Sequence, residues 1–479
     1  MTALGNCDSP LTGPGRRYGE GMLEGPRIEP LATAVRDGSV SPTELVTECL
    51  DRIASSDGEL NAVVTLHADE ALAAAAEHPR TGALAGLPLL VKDMARCAGS
   101  PTTFGSSLFA DAAPDTVDDI VVERLRHAGA IVVGRTNSPS FGHAPFTSNE
   151  LFGATRNPWN TDRSPGGSSG GSAAALAAGM APLATTSDGG GSVRIPASCC
   201  GLVGYKPTLG AIGRNLLPRW IEFSTQGVTA STVADVDYLA RIVLGPAAGD
   251  WTSAPAGTVA LSPAVPTKVL ACRTFRADLD PVIEAAYDEA LDTLHRSGIP
   301  VERIAAPSDP SAVADWFIMS CAELAQSLGE HRDRWDTLDE GLQEKLRFGA
   351  QVSLDDYLAA QRRRHDVGAR IDEALGLDAV LALPTMNVQS WGPDESPSWD
   401  AGSVTGDATI ATNTPELNAT GHPAVSVPLG LDDVGVPFGL QIVAPRFADG
   451  LALGVAEALE RLRPWPLTAP GYTPFGLTG

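Results

Sequence analysis

A chain of 479 residues with 43% hydrophobic residues, 50 glycines and 37 prolines can build two or three average domains, or one large α/β domain rich in turns. Its formal net charge of −24 argues against a direct grip on phosphate backbones, which depends on Lys/Arg neutralisation, so no nucleic-acid partner is expected. No apolar run reaches the ~20 residues that cross a bilayer and the N-terminus lacks an apolar signal core, so no membrane partner and a cytoplasmic location are expected.

Residues 1–27 are polar and glycine-rich, and are expected to be loosely ordered. The first helix should begin at Ser41, with Pro42 in its first turn and Glu44 placed to close a capping box. Residues 61–66 read as a strand and 70–78 as an alanine-rich helix. The stretch G-L-P-L-L-V-K-D at 86–93 ends an apolar run on Lys92. Taken alone, Lys92 fits a strand-end lysine reaching water along the sheet better than a functional group. Residues 115–127 read as a helix and 130–134 as a short buried strand, an alternation that marks an α/β protein.

Farther on, 203–207 ends a strand, and 208–227 is turn-rich with Trp220 and Phe223 expected at the surface. Residues 234–244 read as a helix, and the Pro/Gly/Ala-rich 246–267 as a boundary or a long surface connection. A strand at 268–272, a helix capped by Asp280 and Pro281, and a strand at 301–304 follow. Residues 309–375 are mostly helical, and Arg362 to His365 should form a solvated face. Strands close the chain at 380–385, 424–428 and 438–443, the last two joined by a turn at 432–435. Seven cysteines (Cys7, Cys49, Cys97, Cys199, Cys200, Cys272 and Cys321) without C-x-x-C spacing suggest packed thiols in a reducing compartment.

The chemistry concentrates in R-S-P-G-G-S-S-G-G-S-A-A-A-L-A-A-G-M-A-P-L-A-T-T-S-D-G-G-G-S-V-R, residues 163–194. Two glycine-serine knots flank an alanine run of helical composition, which a flexible linker would not enclose. Neither knot is followed by Lys-Ser or Lys-Thr, so there is no P-loop, and the H-R-D at 331–333 lacks the other kinase motifs. The scattered histidines offer no metal-ligand spacing, so neither metal nor cofactor is expected. Residues 167–171 formally fit the G-x-S-x-G elbow around Ser169, but N-P-W-N-T-D-R-S-P before them is no strand.

Together, G-L-P-x-x-V-K-D at 86–93, G-G-S-S-G-G-S at 166–172, S-D-G-G-G-S-V-R-I-P-A at 187–197 and G-Y-K-P-T at 204–208 closely resemble the amidase signature family. Residues 134–142 and 418–445 are similar to further family segments, so the likeness runs from about residue 28 to 460. The resemblance implies one large α/β/α domain with a mixed central β-sheet over 28–479, its core motifs within 86–208. It implies hydrolysis of a carboxamide C–N bond in a small-molecule amide: aliphatic, aryl, oligomeric or a carbamate. A glutaminase subunit of a tRNA-dependent amidotransferase is the alternative.

By position, Ser192 would be the nucleophile, Ser168 the bridging serine after a cis Gly167–Ser168 peptide, and Lys92 the base. A serine hydroxyl needs an adjacent base, and a lysine serves only when neutral, which burial beside Leu89, Leu90 and Val91 would favour. Backbone N–H groups of Gly189, Gly190, Gly191 and Ser192 would form the oxyanion hole, braced by an Asp188–Arg194 ion pair. Gly189 departs from the family pattern, where threonine or another larger residue is common. Cys199 and Cys200 should pack beside the site. The substrate pockets are expected from 137–152, 209–227 and 309–420, with 209–227 a mobile cover on the acyl side.

Overall fold

The computed structural model describes residues 28–276, 278–395 and 411–476; the segment 1–27, expected to be loosely ordered, lies outside them. Twelve strands are present among these residues: β1 (Val63–Leu66), β2 (Pro88–Lys92), β3 (Ile131–Thr136), β4 (Leu183–Ala184), β5 (Thr186–Asp188), β6 (Val203–Lys206), β7 (Thr225–Ala230), β8 (Val269–Cys272), β9 (Val301–Ile304), β10 (Val380–Pro384), β11 (Ala424–Leu431) and β12 (Pro437–Val443). They form an eight-stranded sheet, β5-β7-β6-β11-β12-β10-β8-β9, and a four-stranded sheet, β1-β3-β2-β4. The large sheet is mixed, with β10, β8 and β9 parallel and the remaining pairs antiparallel. This is the mixed α/β architecture anticipated from the motifs.

Local chemistry explains the elements. Ser41 and Glu44 close the expected capping box on the helix Pro42–Leu60, and Asp280 caps Pro281–Arg296 through the N–H groups of Val282 and Ile283. Strands β2, β10 and β12 are buried at every position, as expected for strands covered on both faces. One apolar core runs from Ile28 to Phe475 and joins both sheets. Two expectations shift. The helix predicted over 115–127 is restricted to Ile120–His127, because Asp119 caps it through the Val121 N–H. Residues 246–267 form a largely exposed connection from the helix Val233–Val243 to β8, with no break in the core.

Only Thr185 separates β4 from β5, so the chain passes directly from the small sheet to the large one. That crossing positions the site. Lys92 ends β2 beside β4, while β5 ends at Asp188 and feeds the Gly189–Ser192 turn. The knot at 166–169 leads into the helix Gly170–Ala177, all of whose residues are buried. The small residues of that helix pack against the small sheet and the helix Arg194–Cys200.

Candidate active site

Lys92 is 1% exposed, and its Nζ donates to Ser168 Oγ (2.8 Å), Ser169 Oγ (2.9 Å) and Ser187 Oγ (3.2 Å). All three donors of an ammonium are thus placed on hydroxyl oxygens. Burial pulls the amine down to about 7, with Asp188 pulling weakly the other way. Ser168 follows a cis peptide from Gly167, as the motif likeness implied. Ser168 and Ser192 line the same cavity of about 260 Å³ as Lys92. Ser169 points away: it contacts Lys92 and the Ser187 carbonyl from behind, and it lines neither cavity at Ser192. No strand precedes it, so the elbow geometry is absent.

The turn before Ser192 is held from outside. Asp188 accepts from Gly191 N–H (2.7 Å) and Val193 N–H (3.2 Å), and receives a bidentate pair from Arg194 Nε and Nη2, both at 2.9 Å. Burial opposes this carboxylate most, but Arg194, Lys206 and Asn418 together outweigh it and hold the acid well below the usual carboxylate range. Arg194 also donates to Gln441 Oε1 (2.6 Å), Asn418 Oδ1 (2.6 Å) and the Thr414 carbonyl (3.1 Å), so every guanidinium nitrogen is occupied. The expected Asp188–Arg194 brace is present and completely buried.

The carbonyls of Gly189 and Gly190 are taken by Trp316 Nε1 (2.9 Å) and Thr414 Oγ1 (2.6 Å). Their N–H groups, and that of Ser192, have no hydrogen-bond partner among the described residues. The N–H of Gly191 differs from expectation, since Asp188 occupies it. A Cβ on Gly189 would sit 2.3 Å from Trp220 Cε3, and one on Gly190 2.4 Å from Trp316 Cζ2. The Trp220 ring therefore fills the space that a side chain at Gly189 would take.

Trp220 and Trp316 meet edge to face at 5.8 Å. Beside them Ser192 opens on a second, smaller cavity of about 50 Å³, which Trp220 also lines. The surface position expected for Trp220 and Phe223 is corrected: Phe223 is 1% exposed and Trp220 partly buried. Ile221 N–H and Tyr357 Oη both donate to Glu323 at 2.7 Å, tying this end of 209–227 to the helices Ala312–Ser327 and Leu354–Leu375. Arg362 to His365 remain mostly solvated, although Arg363 pairs with Asp315 and Arg364 with Glu222.

All three stretches expected to build pockets contribute: Phe141 and Gly142, then 212–226, then Trp316, Lys345, Thr412 and Pro415. Residues 396–410 of the last stretch lie outside the described residues. Several functional neighbours lie inside the quoted motifs, but their tasks are not readable there. Ser187 is the third partner of Lys92, and Asp93 pins the following loop by accepting from Thr103 N–H (3.0 Å), Gly105 N–H (3.2 Å) and Arg135 (3.3 Å). Asn418 and Gln441 lie within 418–445, so their motif segment is visible but their task is not. Cys199 and Cys200 are buried as expected, and burial pushes both thiols up. Among the described residues no three His, Cys, Asp or Glu side chains gather as metal ligands, and no helix is long and apolar enough to cross a membrane.

Comparison with known proteins agrees with this geometry. A family model described as "Amidase" matches residues 44–453. A glutamyl-tRNA(Gln) amidotransferase subunit of Chromohalobacter salexigens is 32% identical, over 92% of this chain and 97% of its own. A Mycobacterium tuberculosis protein named as the amidase AmiA2 is 35% identical, over 94% of this chain and 96% of its own. The crystal structure of a bacterial aryl acylamidase of the amidase signature family superposes with a TM-score of 0.85 at 28% identity, covering 92% of this chain and 96% of that one. The chain belongs to the amidase signature family and is a hydrolase of amide C–N bonds.

Proposed function

We propose that residues 28–479 act as one catalytic domain that cleaves a carboxamide through an acyl-enzyme on Ser192. The observation that carries this is the 2.8 Å contact between a buried Lys92 amine drawn to about 7 and Ser168, in the cavity that Ser192 lines. A free lysine is neutral in fewer than about one molecule in a thousand at pH 7; burial shifts Lys92 toward the neutral form. The neutral amine accepts a proton from Ser168 as Ser168 takes one from Ser192, and Ser192 Oγ attacks the carbonyl carbon. The N–H groups of Gly189, Gly190 and Ser192 receive the negative oxygen, while Gly191 serves the turn through Asp188. The proton then returns through Ser168 to the departing amine as the C–N bond breaks, and water releases the acid by the same path. Asp188 and Arg194 hold the turn.

A second reading, the glutaminase subunit of a tRNA-dependent amidotransferase, is supported by the likeness to the Chromohalobacter protein. Ammonia release from free glutamine only with partner proteins would favour it, whereas turnover of simple anilides, oligoamides or carbamates by the purified chain favours an independent amidase. The test of the mechanism is Ser192→Ala, which should abolish turnover and labelling by a fluorophosphonate, with EDTA without effect on the native chain. Labelling at Ser169 would sink it.

A further inference from the structure

Arg219 lines the same 260 Å³ cavity as Lys92, Ser168 and Ser192. Its guanidinium covers the ring of Phe104 at 4.0 Å, with Phe141 at 5.0 Å and Phe109 at 5.9 Å. Those three rings pack on one another and form an aromatic bed. No carboxylate or carbonyl approaches it: Arg219 has neither an ion pair nor a hydrogen bond among the described residues, and its Nε is buried without an acceptor. Burial, with Arg96 adding to it, pulls the group down to about 10, so it still carries its charge near neutrality.

A guanidinium stacked on a ring keeps its edge free for planar, two-oxygen acceptors. Leaving the buried Nε without an acceptor costs stability, a cost that an acceptor on a bound ligand would relieve. The surroundings point the same way. Acidic residues outnumber basic ones 58 to 34 over the chain, yet apart from Lys92, whose amine burial draws toward its neutral form, the ionisable residues lining this cavity are Arg96, which pairs with Asp115 at 3.9 Å, Arg214 and Arg219 against Asp119 alone. Asp119 is already engaged, accepting from Val121 N–H (3.3 Å) and Gln226 Nε2 (3.1 Å). The cavity thus reverses the sign of the protein around it.

We propose that the part of the substrate occupying the larger cavity carries a carboxylate, and that Arg219 binds it. The amide nitrogen or carbonyl then sits at Ser192, with the uncharged remainder in the smaller space beside Trp220 and Trp316. The inference rests on the amide-hydrolase reading, which names the bond cleaved; Arg219 names what the substrate carries beside it.

The test uses matched acids and neutral isosteres on either side of the amide: 4-acetamidobenzoate against acetanilide, and glutaranilic acid against its methyl ester. For at least one pair kcat/KM should favour the acid tenfold or more, and the preference should shrink with added salt. Arg219→Gln should lower kcat/KM for that acid at least ten times more than for its partner. Arg219→Lys, which keeps the charge but not the fork, should fall between. Binding of the same pairs to Ser192→Ala, measured by calorimetry, should show the same preference and the same loss when Arg219→Gln is added. If neither turnover nor binding favours an acid, or if both Arg219 variants leave the ratio unchanged, the assignment is wrong. Should Arg219→Gln fail to fold, the native preference, its salt dependence and Arg219→Lys decide. Failure of every amide to turn over would overturn the amidase reading, and the calorimetric arm would still judge Arg219.

Discussion

Two arginines near Ser192 are treated in opposite ways. Behind the catalytic turn, Arg194 has all its nitrogens occupied by Asp188, Asn418, Gln441 and the Thr414 carbonyl. On the cavity lining, Arg219 has rings beneath it and no acceptor among the described residues. A saturated arginine fixes backbone, since no donor is left to offer; an unsaturated one is receptive. Lysines divide similarly. Lys92 and Lys206 are both buried and both pulled by burial to about 7, yet Lys206 Nζ donates to the Pro207 carbonyl and lines neither cavity at Ser192. A depressed amine alone is not a base; it also needs a proton donor facing the substrate.

The comparison can be broken most forcefully at Lys92. Lys92→Ala should slow acylation by an amide by about 10²–10⁴-fold, near the upper end, and slow a matched activated aryl ester far less, because a phenol leaves without a proton. Lys92→Arg should not rescue it, since a guanidinium stays protonated. Pre-steady-state acylation by both variants is the measurement; equal loss on the two substrates would make Lys92 a mere fixed charge. The sign of the pH dependence follows. The amine, lowered to about 7, is active when neutral, so native kcat/KM for amides should rise as pH climbs through about 7 and fall below it.

The buried brace should fail as structure. Arg194→Met leaves the Asp188 charge buried without its partner and should cost about 3–5 kcal/mol in denaturant unfolding. A loss no larger than that of an exposed ion pair would mean that the turn is held elsewhere. The cavity lining should fail as selectivity instead. Gly189→Ala pushes a methyl into the Trp220 ring, an overpacking of about 1–3 kcal/mol. That cost should largely vanish in the Trp220→Ala background, which a double-mutant cycle reads directly. Trp220→Ala alone should change discrimination between small and bulky amides by about tenfold, or about 1.4 kcal/mol of transition-state binding. Equal effects on both amides would leave Trp220 a packing role only.

Elements with strong local signals are legible in the sequence. Capping at Ser41 and Asp280 and the apolar runs of β2, β8 and β10 depend on neighbours in the chain, and each element forms where those signals lie. Lys92 cannot be judged that way, because its strand predicts burial but not three serines from distant segments; the motif likeness supplies what periodicity lacks. The departures share a cause. Phe223 reads as a surface residue because a turn-rich stretch suggests exposure, whereas helices from residues 312–375 cover it. Gly191 groups with its neighbouring glycines because the string D-G-G-G-S does not say which N–H bends back to the aspartate. Arg219 carries no local signal at all, since what distinguishes it is the absence of a partner in space.

The cysteines among the described residues are chemically quiet. Cys49, Cys97, Cys199, Cys200, Cys272 and Cys321 are all enclosed, and burial raises the thiols of Cys49, Cys97, Cys199 and Cys200, and that of Cys272 to about 12. Nucleophilic attack by sulfur requires the thiolate, so in the native state the thiols of Cys49, Cys97, Cys199, Cys200 and Cys272 are shielded twice, by exclusion of the reagent and by protonation. Alkylation at them becomes a clock for opening: its rate measures how often each region exposes its interior. Cys199 and Cys200, on the helix leading away from Ser192, would time the catalytic turn, and Cys272, in the large sheet, would time the scaffold.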